Sequence, residues 1–315
     1  MRVAIAVAGD GEGSHAVLER FRVLAEQDAR RRHILTSTDG DPDVILICDV
    51  HELEGRVPDA LRHHPLVRRH PKLIRVYDQR DDPYYSFPGL YATASPRLVA
   101  RRRQAASPYV ATLTPLDRRA EPPDLLFSFR GARTHPLRDE VLQLRHPRAL
   151  IEDTTGVDFF TGTPQHTVAL AAARAQYSTS VSRSKFVLCP RGFGASSFRL
   201  YEVLGAGRVP VIISDAWVAP TGVDWTACSI RVAESDIADV GRVLEEAEDR
   251  WLDLRVAATQ AFEATFSTTA LWDYLMTQLE RTRPPRCHDL RPWWADRHVI
   301  RAYARDLMTS VPRSH

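Results

Sequence analysis

Unbroken apolar runs mark the first third of the chain. RVAIAVAG (2–9), DVILICDV (43–50) and the front of KLIRVYDQRDD (72–82) each read as a strand with apolar residues on both faces. A strand with one wet face alternates, whereas a strand covered on both sides does not. Between the first two, SHAVLERFRVLAEQDARR has helical spacing, with Ser14 as its expected N-cap. Apolar strands separated by helices predict a parallel sheet with helices on both faces. Residues 1–120 are thus expected to form a first Rossmann-like α/β domain.

The stretch ASPYVATLTPLDRRAEPPD (106–124) has no periodicity and several prolines, and reads as a linker. A second alternating series follows it. LLFSFRG (125–131), RALIED (148–153), KFVLCP (185–190) and VPVIIS (209–214) read as strands. HPLRDEVLQLRH, HTVALAAARAQYSTSVSRS and SSFRLYEVLGAG read as the intervening helices. Residues 121–285 are therefore expected to form a second doubly wound domain, with DIADVGRVLEEAEDRWLDLRVAATQAFEAT as one long helix. Within 286–315, RPWWADRHVIRAYARDLM has the pattern of an amphipathic helix that can cross back to the first domain. Trp293 and Trp294 would then be core contacts.

Composition narrows the partners. The 315 residues carry a net charge of +2, so no general affinity for nucleic acid or membrane surface is implied. Four scattered cysteines (Cys48, Cys189, Cys228 and Cys287) form no CxxC pair, which argues against a zinc site and fits reduced thiols in a cytoplasm. The apolar run at the N-terminus is too short for a signal peptide, and no run reaches the length of a membrane span.

The most informative stretch is FVLCPRGFGASSFRLYEVLGAGRVPVIISD (186–215). Pro190 ends a strand, RGFGASS forms a loop, and Ser196 or Ser197 can cap the next helix. Gly207 can end that helix in the left-handed conformation. Leu200, Val203 and Leu204 make a core stripe, while Arg199 and Glu202 share another face. The open N–H groups at the helix start favour an anion. Arg191 and Arg199 can add charge-assisted bonds to a diphosphate, with Gly192, Ser196 and Ser197 lining the loop. Glu202 can accept hydroxyl hydrogens, as from a ribose. A surface Glu–Arg pair beside a helix cap is the plain alternative. Neither GxxxxGK[ST] nor GxGxxG is present; GDGEG near the N-terminus misses the dinucleotide fingerprint, which leaves an oxidoreductase as a remote reading.

The stretch SKFVLCPRGFGASSFRLYEVLGAGRVPVIISDAWVAP…DW resembles the signature block of the exostosin-type glycosyltransferases, glycosyltransferase family 47. The matching positions are Phe186, Leu188, Pro190, Gly192, Ser197, Arg199, Glu202, Gly207, Pro210, Val211, Ser214, Asp215, Pro220, Asp224 and Trp225. Upstream, LLFSFRGARTHPLRDEVL is similar to the segment that opens the family's donor domain. Val203 and Arg208 depart from the commoner alanine and cysteine. The resemblance implies a GT-B architecture, two Rossmann-like domains facing across a cleft. It also implies an inverting transfer from a UDP-sugar to an acceptor hydroxyl of a glycan or small natural product. UDP-sugar would be a co-substrate, and no metal or other cofactor is implied. The chain lacks the family's membrane anchor and stem, which suggests a compact, cytoplasmic, bacterial-type relative.

An inverting displacement needs a general base. Asp78, Asp81 and Asp82 in YDQRDDPYY stand at a strand end where such a group belongs, and a solvated acidic turn is the alternative. Glu12, His15 and His135 are weaker candidates. Arg130 and Arg133, after LLFSF, can reach the donor or simply face solvent. The aromatic stretch DDPYYSFPGLY (81–91) can stack on an acceptor or pack. A non-catalytic nucleotide-sugar-binding partner of a transferase complex keeps the arginines and Glu202 without needing a base, and stays open here.

Overall fold

The computed structural model describes residues 1–7, 12–48, 61, 63–81, 87–94, 96, 103–110, 116, 122–157 and 164–285. Packing divides the chain into two compact units. The first holds Met1–Ala111, Trp217–Pro220 and the described chain from Thr268 onward; the second holds Thr112–Ala216 and Thr221–Ser267.

The first unit contains a six-stranded parallel sheet in the order β2-β1-β3-β4-β5-β6. Its strands are β1 (Arg2–Val7), β2 (Ile34–Thr36), β3 (Val44–Cys48), β4 (Ile74–Asp78), β5 (Gly89–Tyr91) and β6 (Gln104–Ala106). Every residue of β3 is buried, as its unbroken apolar pattern predicts, and so is every residue of β4, its Arg75 and Asp78 included. One face packs Ala4, Ile45, Ile47, Ile74 and Val76 against Leu61, Val67 and Phe87. On the other, Phe21 meets Tyr77 edge-on at 5.2 Å and Trp272 at 6.4 Å. Strands β2, β5 and β6, of three residues each, are too short to stand out in the sequence. A Cβ on Gly89 would lie 2.0 Å from the Val76 carbonyl oxygen, so β5 can lie against β4 only with glycine there.

Residues 268–285, which the sequence pattern groups with the second domain, pack in the first unit. Trp272 of helix Leu271–Glu280 is fully buried and donates its indole N–H to the His33 carbonyl at 3.0 Å. Asp273, also fully buried, accepts from Arg30 at 2.9 Å and from Arg32 Nε at 2.7 Å. The segment 286–315 lies outside the described residues. The helix of the N-terminal third runs Glu12–Gln27, so Ser14 lies within it rather than at its cap.

The second unit contains a five-stranded parallel sheet in the order β11-β10-β9-β7-β8. These strands are β7 (Leu125–Gly131), β8 (Ala149–Asp153), β9 (Ser184–Pro190), β10 (Val209–Ile213) and β11 (Ile230–Arg231). Phe127, Phe129, Phe186, Leu188, Val209, Val211 and Ile213 point to one face. There they pack on Leu137 and Val141 of helix Pro136–Gln143, on Val240 and Leu244, and on Trp251 and Leu254. On the opposite face Ser128 Oγ donates to the Ser180 carbonyl of helix Pro164–Arg183 at 3.3 Å. Helix Phe198–Gly205 lies against β9 and β10. The unit is therefore doubly wound, as expected, and two such α/β units in one chain are the composition of the GT-B class.

The strand order matters for function. β7, the first strand of the second unit, lies between β8 and β9, so successive connections leave it in opposite directions. A crevice opens at the carboxyl ends of strands at such a switch point. Here those ends are Arg130–Gly131 and Pro190–Arg191.

The single long helix expected over 236–265 is broken. It consists of a 3-10 turn (Glu234–Asp239), a helix (Val240–Glu246), a second 3-10 turn (Glu248–Arg250), a helix (Trp251–Ala261) and a π-helical turn (Phe262–Phe266). Asp236 departs from helical geometry at φ −108° and ψ 17°. Ile237, Val240, Leu244, Ala247, Trp251 and Leu254 keep the spacing of one helical face across these breaks, and all reach one core. Among the described residues no helix is long and apolar enough to cross a membrane.

Candidate active site

Helix Phe198–Gly205 begins where β9 ends at the switch point. Ser197 takes the N-cap position with extended backbone (φ −140°, ψ 129°), but its side chain makes no capping bond. Gly207 closes the helix at φ +65°, as its sequence position predicts. Beyond it, Arg208 is buried and donates from Nη2 to the Ser182 carbonyl at 2.6 Å. Every residue from Arg199 to Leu204 is buried, including the two charged ones. Arg199 and Glu202 are 7% and 5% exposed, which rules out the surface-pair alternative.

The guanidinium of Arg199 lies over two aromatic rings, 4.8 Å from the centroid of Phe129 and 5.5 Å from that of Tyr177. Its Nη2 donates to the Arg130 carbonyl at 2.6 Å. Among the described residues its buried Nε and Nη1 have no hydrogen-bond partner. Leaving buried donors unpaired costs about 1–3 kcal/mol, more on a charged group. A buried cation held by stacking and one carbonyl, with two donors unspent, can accept the oxygens of an anion.

Glu202, one turn on, accepts from the Tyr177 hydroxyl at 3.0 Å. Burial, and then the Glu202 charge, hold the Tyr177 phenol well above its ordinary range, so it remains a donor. Beneath them the Cys189 thiol is pushed up to about 12 by burial, although Arg199 pulls the other way. It is an inert neutral group.

The loop from Pro190 to Ser197 adds further unspent donors. Among the described residues the buried Ser196 hydroxyl and Arg191 Nε have no partner, nor does the buried hydroxyl of Thr134 from the turn after β7. Arg191 Nη2 donates to the Phe193 carbonyl at 3.2 Å, which folds the loop on itself. Arg138 binds the two strand ends together. It donates to the carbonyls of Arg191 at 2.9 Å, Ala132 at 3.2 Å and Pro190 at 3.3 Å. Gly192 is fitted closely, since a Cβ there would lie 3.1 Å from Thr134 Oγ1 and 3.3 Å from Arg138 Nη2.

Other expected donor-side residues have different placements. The Arg130 side chain pairs with Glu152 and bonds Gln176, so its carbonyl rather than its guanidinium joins the pocket. Arg133 is held by Asp153 at 2.7 Å and Asp139 at 2.6 Å. His135 caps helix Pro136–Gln143, its Nδ1 accepting from Leu137 N at 3.3 Å. Burial, with Arg191 nearby, lowers its pKa. Asp224 caps helix Trp225–Cys228, accepting from Thr226 N at 3.1 Å and Ala227 N at 3.2 Å. Trp225 packs on Phe266 at 5.9 Å and Tyr201 at 6.5 Å, so the DW pair supports the site from behind.

In the first unit, Asp78 ends β4 and is 1% exposed. Oδ1 accepts from Arg80 Nε at 3.0 Å and Oδ2 from Arg80 Nη2 at 2.6 Å, a two-point ion pair. Asp81 is exposed and accepts from the Tyr109 hydroxyl at 3.4 Å. Asp82 lies outside the described residues, as do the side chains of Glu12 and His15. In the aromatic stretch, Tyr91 is fully buried and donates to the Phe87 carbonyl at 2.7 Å, so it packs rather than stacks on a ligand. Among the described residues, no three His, Cys, Asp or Glu side chains gather to hold a metal ion.

Sequence reasoning missed Tyr177, Thr134 and Arg138. Tyr177 had a signal: it is the one phenol ring in a helix dominated by alanine, serine and threonine.

Residues 93–247 match the Exostosin GT47 domain. An Exostosin-1 homolog of Caenorhabditis elegans is 37% identical over 94 residues, which is 29% of this chain and 25% of that protein. A probable glucuronoxylan glucuronosyltransferase, IRX7 of Arabidopsis thaliana, is 42% identical over 73 residues, 22% of this chain and 16% of that protein. This chain thus spans a quarter or less of these relatives' length. A solved glycosyltransferase from Rickettsia africae ESF-5 superposes with a TM-score of 0.46 at 8% identity, over 89% of this chain and 98% of that one. Residues 93–247 are thus similar to the Exostosin GT47 domain, and Arg199 and Glu202 both lie inside the matched stretch.

Proposed function

We propose that the protein transfers a sugar, with inversion, from a nucleoside diphosphate sugar, most simply a UDP-sugar, to an acceptor hydroxyl. One observation carries the reading. Arg199 is nine-tenths buried at the switch point, with Nε and Nη1 unpartnered, one helical turn from Glu202. The unspent donors of Arg199, Arg191, Ser196 and Thr134 suit the oxygens of a diphosphate. Glu202 suits a ribose hydroxyl.

The same groups serve the chemistry. As the sugar–oxygen bond breaks, negative charge grows on the departing diphosphate. Fixed donors and the helix start would stabilise that charge without reorganising. In this reading the arginines do the work that a metal does elsewhere. The base that takes the acceptor proton is assigned to Asp81 or Asp82, because both oxygens of Asp78 are engaged by Arg80. The glucuronosyltransferase name of the Arabidopsis relative supports including a UDP-hexuronate among the donors tried.

The test is a thermal-shift screen with UDP, other nucleoside diphosphates and NAD, followed by sugar-release assays on UDP-sugars with and without a chelator. UDP should raise Tm, since a ligand at 100 times its Kd stabilises by about 2.7 kcal/mol. Turnover should survive the chelator. No shift with any nucleoside diphosphate would overturn the reading.

A further inference from the structure

Tyr177 touches both charged groups of the pocket in different ways. Its hydroxyl donates to Glu202 Oε2 at 3.0 Å, and its ring lies 5.5 Å from the Arg199 guanidinium. It comes from helix Pro164–Arg183, whereas Arg199 and Glu202 both stand on helix Phe198–Gly205. We propose that Tyr177 is a positioning residue that sets two recognition functions separately. The hydroxyl aims Glu202 at a nucleoside hydroxyl, and the ring holds Arg199 at the diphosphate. This rests on the nucleotide-sugar reading above and deepens it.

The physical case begins with freedom of movement. A glutamate side chain has three rotatable bonds, and aiming one oxygen at a ligand costs rotamer entropy at binding unless a partner has already fixed it. The Tyr177 hydroxyl is such a partner, and it donates to a carboxylate, the stronger kind of hydrogen bond. Burial keeps the phenol protonated, so the bond holds across the working pH range. Arg199 has the opposite need. Its Nε and Nη1 must stay unspent for the ligand, so it cannot be fixed by hydrogen bonds at those atoms. Stacking between Tyr177 and Phe129 holds the plane while leaving these donors available. One side chain therefore orients the carboxylate by hydrogen bonding and the guanidinium by its ring face.

Two variants and two ligands separate the functions. Tyr177→Phe keeps the ring and removes the hydroxyl; Tyr177→Leu removes both. Titration calorimetry with UDP and with inorganic pyrophosphate reads each. The Phe variant should bind UDP about tenfold more weakly than wild type and pyrophosphate within twofold of it. The Leu variant should weaken both. The UDP-to-pyrophosphate affinity ratio is the readout, because a general loss of structure moves both affinities together. Wild-type affinity of the Phe variant for UDP, or an equal loss for both ligands, would overturn the assignment. Wild-type protein that binds neither ligand would overturn the functional reading itself, and this assignment with it.

Discussion

Arg199 Nη2 donates to the main-chain carbonyl of Arg130 at 2.6 Å, which ties the first turn of helix Phe198–Gly205 to the end of β7. The bond crosses the switch point of the sheet. In the proposed reading it makes one side chain both a structural tie and, through Nε and Nη1, an anion receptor. The two roles predict different effects of substitution. Arg199→Met keeps the volume and removes the unspent buried donors together with the one bond to Arg130. Stability without ligand should therefore change by no more than about 1 kcal/mol. The rise in Tm on adding UDP should disappear, because each charge-assisted bond is worth about 1.5–3 kcal/mol. Denaturation of both proteins with and without UDP measures the two effects.

Gly131 predicts a similar loss from the other side of the contact. A Cβ there would lie 2.8 Å from Phe129 Cζ and 3.0 Å from Arg199 Nη2. Phe129 is fully buried and cannot yield cheaply. Gly131→Ala should push the guanidinium off the Arg130 carbonyl, cost about 1–3 kcal/mol as overpacking does, and weaken UDP binding. Equilibrium unfolding and a UDP titration of the same variant check both outcomes; unchanged UDP affinity would show that Arg199 need not sit where it does.

Asp78 and Asp81 should separate stability from turnover. Asp78→Asn removes the buried half of a two-point pair with largely covered Arg80 and should cost about 3 kcal/mol, the usual result of breaking a buried pair. Asp81 is exposed, so Asp81→Asn should change stability by no more than about 0.5 kcal/mol. If Asp81 is the base, that variant loses sugar transfer and keeps UDP binding. A variant that transfers at the wild-type rate would leave the role to Asp82. Unfolding curves and a transfer assay, run side by side, decide it.

The alternation of buried strands and helices was legible because both sheets are parallel and covered on both faces, which leaves long apolar runs such as VILIC in β3. The short strands at 34–36, 89–91 and 104–106 were not. They lie at or near the edge of their sheet and carry too few apolar residues to stand out. The breaks between 234 and 266 were also hidden, because helical spacing continues through them. At the site, the spacing of Arg199 and Glu202 showed that they share a face, but it could not show that the face is buried. That follows from what covers it: Phe129 and Tyr177 are 70 and 22 residues away along the chain from Arg199, beyond any local pattern. Arg130 was placed in the right strand, yet its side chain turns to Glu152, a partner the sequence reading had not paired with it.

The clasp that holds helix Leu271–Glu280 to the first unit should be sensitive to acid. His33 is buried beside Thr277 at 3.3 Å, Asp273 at 3.7 Å, and Glu280 at 3.8 Å. Burial lowers its pKa, outweighing the pull of Glu280 and Asp273; the N-terminus and Arg32 add to the lowering. The unfolded chain therefore takes up this proton more readily than the folded one. The stability that neutral His33 brings is complete above about pH 6.5, the usual imidazole value, and is lost as pH falls toward the lowered one. Asp273 responds further down. Burial alone would raise its carboxyl, but Arg32 and Arg30 hold it below the ordinary range. Its contribution is present above about pH 3.9 and fades as pH drops through the lowered value. Urea unfolding at a series of pH values should thus show stability falling below pH 6.5 and falling again below about pH 4. His33→Gln removes the first group and should flatten the upper part of that fall while leaving the lower part. An unchanged slope between pH 6.5 and 5 in that variant would place the sensitivity on another residue.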